Sequence, residues 1–207
     1  LFNYIIMNIL CFGDDITAGY YNYGKNFHPY KLHLEKELNN SKIDHIGLSG
    51  FTSDEMIKSS NDKQVDDYLD NSWIGLEQQL KIKNYDYCII LAGTNDVLET
   101  EIDKSILRDI FKIHTIVHEH KTKTIALTIP KMDLEEIDKD ITTIRNTINN
   151  TLINTHNFSN KNYKVIDIAS FIGDNFEFMD KDGIHFTPEG YDKIGEYIAK
   201  CIFKLEN

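Results

Sequence analysis

Five short apolar runs, at residues 5–12, 42–48, 86–92, 123–129 and 163–168, recur along the chain with helical patterns between them. Strands that alternate with crossover helices pair in parallel, and the sheet they form must be covered on both faces. The helical segments carry the matching signature. Leu134, Ile137, Ile141, Ile144, Ile148 and Leu152 step by three and four residues, which predicts one long amphipathic helix. In the last segment, "FTPEGY" offers Thr187 as a cap and Pro188 as a first helical residue, after which Tyr191, Ile194, Ile198 and Ile202 fall on one inward face. No repeat, low-complexity tract or Pro/Gly-rich linker breaks the pattern, and residues 59–72 read as a long polar surface excursion. The expectation is one α/β domain over residues 1–207, with three α/β/α layers built on a parallel five-stranded sheet. Residues 1–6, ahead of Met7, read as an expression remnant or N-terminal extension.

Charge and cysteine usage narrow the partners. With 22 Lys and Arg against 33 Asp and Glu, the formal charge is -11, and no basic run is dense enough to grip nucleic acid. Cys11, Cys88 and Cys201 are odd in number and far apart, so they read as reduced thiols of a cytoplasmic protein, not as a disulfide or zinc framework. The opening "LFNYIIMNILCF" lacks a cationic start and a small-residue cleavage site, and it is too short and too polar at Asn3 and Asn8 for membrane insertion.

Open parallel sheets gather ligands at the carboxyl ends of their strands. "GDDIT" follows the first run, "GLSGFTSDE" the second and "AGTNDV" the third, while "DKDGIHFTPEGY" lies between the fifth and the last helix. In that last block His185 stands three residues after Asp182 in a glycine-containing loop, so one ring nitrogen can bond a carboxylate while the other faces a pocket. The backbone amides of Asp15 and Gly50 and the side-chain amide of Asn95 could aim donors at a developing oxyanion. Each residue also has a plainer use: Gly13 and Asp14 as a tight turn, Gly50 as a positive-φ turn, Asn95 and Asp96 as caps. Tyr20, Tyr21, Tyr23 and Phe27 of "GYYNYGKNFHPY", with Phe51, could line an acyl or aryl pocket or simply pack their loops. His114, His118 and His120 have metal-ligand spacing, but His114 and His118 also continue the helical steps of Leu107 and Phe111.

Taken in order, the four blocks resemble those of the SGNH or GDSL hydrolases, a family of esterases, lipases, thioesterases and carbohydrate deacetylases. The resemblance implies a flavodoxin-like sheet and Ser-His-Asp chemistry on a small-molecule ester or its acid product, with no metal and no cofactor. It assigns oxyanion donors to Gly50, Asn95 and the residue 15 amide, the base to His185 and its orienting carboxylate to Asp182. The family's serine falls on Asp15.

A carboxylate has no proton to yield to the histidine, and it brings negative charge to the place where an oxyanion must form. Losing a serine nucleophile alone removes on the order of a millionfold in turnover, so an inactive or very slow scaffold is expected, or a binding protein built on one. Asp15 is also expected to pair with His185 as an imidazolium. Two further chemistries use the aspartate itself. Asp15 could attack alkyl halides or epoxides, as the aspartates of haloalkane dehalogenases and epoxide hydrolases do on another fold, or Asp14, Asp15 and Asp96 could ligate magnesium.

Overall fold

The computed structural model describes residues 6–99, 105–158, 161–173 and 176–206, so the expectation for residues 1–6 lies almost wholly outside it. Its strands are β1 (Asn8–Gly13), β2 (Lys42–Gly47), β3 (Tyr87–Leu91), β4 (Lys123–Leu127) and β5 (Tyr163–Ile166), in the sheet order β2-β1-β3-β4-β5. Every pairing within this sheet is parallel, with Phe12 level with Ile46 on one side and Ile90 on the other. The order reverses beside β1, which opens the crevice where such sheets bind ligands.

Side chains alternate across the sheet and build a core on each face. Leu10, Phe12, Cys88 and Ile90 point to one side, where α3 (Ser53–Lys58), α4 (Leu76–Ile82), α6 (Ser105–Glu119) and α7 (Lys139–Phe158) cover them. Ile9, Cys11, Ile89 and Leu91 point to the other, under α2 (Lys31–Glu37), α8 (Ile168–Ile172) and α9 (Pro188–Glu206). The three-layer α/β/α architecture is therefore as expected, as is the inward face of α9: Tyr191, Ile194, Ile198 and Ile202 are buried. Burying one such isoleucine stabilises by about 2 kcal/mol. Thr187 Oγ1 accepts the Gly190 amide at 3.2 Å, capping α9 just before Pro188.

The long stripe starts later than its spacing predicts. Asp133–Glu136 is a 3-10 turn, α7 opens at Lys139, and Ile137 is 86% exposed. The cause is Glu135, which turns inward to meet Arg145 through bonds of 2.5 and 2.8 Å, so the residues around it cannot keep the helical face. The polar excursion is also more ordered than expected: Val65–Asp66 and Ser72–Trp73 pair as a short antiparallel ribbon around a buried Asp67.

Candidate active site

The residue 15 turn is built by its neighbour. Asp14 Oδ1 accepts the Ile16 amide at 3.1 Å and caps the short helix α1 (Asp15–Ala18), while Gly19 closes it in the left-handed region at φ 78°. Asp14 is fully buried, and among the described residues its Oδ2 meets no hydrogen-bond partner. Burial first, and the charge of Asp15 second, push its carboxyl up to about 8. Because the folded value lies above the unfolded one of 3.8, the folded chain holds a proton that the unfolded chain releases. Its contribution to stability is full below pH 4 and is lost as pH rises toward 8, at up to about 1.4 kcal/mol per unit. Asp14→Asn keeps the capping oxygen without the charge. Denaturant unfolding at pH 5, 7 and 8.5 should therefore show the variant gaining stability relative to the parent as pH rises; a constant difference would contradict this assignment.

Asp15 itself is only 6% exposed. The Gly50 amide donates to both its oxygens at 3.1 Å, and Asn95 Nδ2 donates to Oδ2 at 2.8 Å. Gly50 reaches this position with φ 83°, in the left-handed region open to glycine. Asn95, on α5 (Thr94–Leu98), also donates to the Phe51 carbonyl at 3.1 Å. Asp96 clamps the two segments together: its carboxylate accepts the Ser53 amide at 2.9 Å and the Ser53 hydroxyl at 2.5 Å. The expected pairing of Asp15 with His185 is not formed, since among the described residues no ion pair joins them. The two N–H donors capture the carboxylate instead.

The histidine is held separately. Asp182 Oδ1 accepts the amides of Ile184 and His185 at 3.0 Å each, and Oδ2 bonds His185 Nδ1 at 2.8 Å. Burial would raise the Asp182 carboxyl, but these bonds outweigh it and hold the group down at about 2. Asp182 is therefore ionised and can only accept, so the proton lies on Nδ1 and Nε2 is the lone-pair nitrogen of the neutral ring. Tyr20 lies against that ring, with centroids 4.1 Å apart and planes tilted by 34°. Burial, then Asp182, Asp15 and Asp180, raise the Tyr20 phenol, which records how closely these carboxylates gather. Tyr191 ties the arrangement to α9 by donating its hydroxyl to the Tyr20 carbonyl at 2.7 Å.

Not every aromatic candidate comes to this place. Phe27 meets the edge of Tyr20 at 6.4 Å and the Phe51 ring meets Tyr68, but Tyr21, partly buried, packs against the core on the α9 side and Tyr23 is 61% exposed. The metal readings do not assemble. His114 is buried against Tyr163, its pKa driven down to about 3 by burial and then by His118, which bonds Thr124. Asp14, Asp15 and Asp96 are separately engaged, and no group of three metal-ligating side chains converges among the described residues. Tyr68 and Asp67 are near the site although the sequence did not mark them. Tyr68 sits beside Gly50 and meets Phe51 edge-on at 5.6 Å.

Comparison with known proteins agrees with this fold. The structure is similar to a lipase/acylhydrolase from Enterococcus faecalis, at 22% identity, TM-score 0.70 and 96% coverage of each chain. It is also similar to a member of the lipolytic protein G-D-S-L family from Veillonella parvula, at 18% identity and TM-score 0.70, covering 93% of this chain and 96% of that one. The psychrotrophic esterase EstA from Pseudoalteromonas matches at 16% identity and TM-score 0.69, with 97% and 99% coverage. No curated protein sequence matches the chain. Residues 11–193 fit the model of the GDSL-like Lipase/Acylhydrolase family, and the chain belongs to that family.

Proposed function

We infer that this chain carries a small-acyl ester hydrolase site whose oxyanion hole is filled by its own Asp15 carboxylate, so that hydrolysis is absent or very slow while a small ester or acid can still bind. The observation that carries this reading is the pair of bonds from Gly50 and Asn95 to Asp15, beside an intact Asp182–His185 pair. Donors that would stabilise a developing oxyanion are spent on a resident one. In this reading Asn95, Gly50 and the Asp15 amide form the hole, His185 is the base and Asp182 orients it. Similarity to an esterase and a lipase/acylhydrolase supports the substrate class. Hydrolysis of short-chain p-nitrophenyl esters by the parent, Asp15→Ser and Asp15→Ser/His185→Ala tests it. Activity in the serine form alone is expected, and silence in a folded serine form would defeat the reading.

One observation favours a second use of Asp15. Oδ2 takes both donors while Oδ1 only shares the Gly50 amide, which leaves Oδ1 the freer nucleophile. Attack on an alkyl halide would form an alkyl ester and release halide; water deprotonated by His185 would then add at the carboxyl carbon and release the alcohol. Incubation with an alkyl bromide, with His185→Ala to trap the ester, should add the alkyl mass to the peptide bearing Asp15. An unmodified peptide would end this alternative.

A further inference from the structure

A chain of contacts links the reactive groups. Tyr20 lies on His185, and Tyr20–Tyr21 pairs antiparallel with Asn26–Phe27 in a hairpin whose turn reaches across to a second loop: a Cβ built at Gly24 would fall 2.9 Å from Tyr20 Cε2 and 3.3 Å from Leu69 Cδ1. On that second loop, Tyr68 lies over Gly50 so closely that a Cβ built there would be 2.4 Å from its Cδ2. Gly50 in turn holds Asp15, so the contacts run from His185 to Asp15 by way of the second loop.

The second loop is held firmly for one that exposes so much apolar surface. Asp67, 5% exposed, accepts the amides of Ser49, Leu69 and Asn71 and the side-chain N–H groups of Asn71 and Trp73. The Tyr68 amide donates to the Ser49 carbonyl at 3.1 Å, and its hydroxyl donates to Glu55 Oε1 at 2.5 Å. Glu55 is itself fixed by the amide and hydroxyl of Thr52. Yet Tyr68 is 67% and Leu69 41% exposed. Their own burial cannot repay the ordering of this loop, whereas a rigid apolar wall binds a ligand without paying that entropy again.

We propose that Tyr68 and Leu69 form the wall that sets acyl length at this site, with Leu69, in contact with the Gly24 turn, restricting it to short, uncharged aliphatic acyl groups. The proposal rests on the ester-hydrolase reading for its substrate class. Its test does not need turnover, because Trp73, the chain's one tryptophan, bonds Asp67 Oδ2 at 3.1 Å and reports on the loop. The emission of Trp73 is followed while methyl butanoate and methyl octanoate are titrated into the parent and Leu69→Ala, and the same variant is assayed on matching esters in Asp15→Ser.

Leu69→Ala should shift the octanoate-to-butanoate affinity ratio toward octanoate by about tenfold or more, with the same shift in kcat/KM in the serine background. A ratio within about twofold of the parent, or no saturable signal with either ester in either form, overturns the wall. If Asp15→Ser is silent but the affinity ratio moves, the wall stands and the hydrolase reading falls. Turnover without a shift does the reverse.

Discussion

Asp15→Ser raises kcat/KM for p-nitrophenyl acetate at least about a thousandfold over the parent, a barrier change of roughly 4 kcal/mol. Two physical changes add up in this one substitution. The serine hydroxyl supplies a proton that His185 Nε2 can take, which a carboxylate cannot do. Removing the carboxylate also frees the Gly50 amide and Asn95 Nδ2, which now donate to Asp15 at 3.1 and 2.8 Å. A single oxyanion donor is worth on the order of a hundred- to a thousandfold in rate, so in the proposed reading an occupied hole accounts for a large part of the expected difference. Asp15→Ala separates the two terms, because it empties the hole without supplying a nucleophile. It should stay near parent activity in turnover while binding acetate or butanoate more tightly, since a free carboxylate can then take the vacated donors. A serine variant that folds as the parent does by circular dichroism and melting, yet hydrolyses no faster, would mean that this pocket is not an ester site.

The sheet was legible because each strand is an apolar run set between helical patterns, and its two-sided burial leaves few other ways to cover those residues. The start of α7 was not, because Glu135 is buried by an ion pair with Arg145, ten positions away, and a charged residue reads as exposed until its partner is seen. Asp67 escaped notice for the same reason: a carboxylate that organises a loop from within looks like one more polar residue in a polar run. At the site, the three-residue step from Asp182 to His185 was readable because both lie in one short loop. The destination of Asp15 was not readable. An imidazole and a pair of N–H donors are both chemically suitable partners, and only the folded chain, which sets the Gly50 amide and the Asn95 side chain against residue 15, brings the donors within reach. Tyr20 and Tyr21 part company for a geometric reason, as neighbours on an extended segment face opposite sides, so one meets His185 and the other the core.

In the Asp15→Ser background, Asp182→Asn should lower kcat by on the order of ten-thousandfold, a loss that follows from which nitrogen of His185 carries the proton. Asp182 Oδ1 caps the amides of Ile184 and His185, so the asparagine keeps its carbonyl oxygen there and turns Nδ2 toward the ring. Facing a donor, His185 Nδ1 must accept, the ring proton moves to Nε2, and the nitrogen meant to take the serine proton no longer has a lone pair. The loop survives because both backbone caps survive, so the melting temperature at neutral pH should change far less than the rate. Raising the pH cannot restore activity, since a ring that loses its charge still holds its remaining proton on the wrong nitrogen. The parent carboxyl, held at about 2, contributes stability that is present above its unfolded value of 3.8 and lost as pH falls through 2. Asp182 therefore stays ionised across any assay above about pH 4, so no limb of the kcat/KM profile in that range comes from this carboxylate. If Asp182→Asn kept more than about a tenth of the serine form's activity, the carboxylate would not be setting the tautomer, and His185 would have to be oriented by its packing against Tyr20 instead.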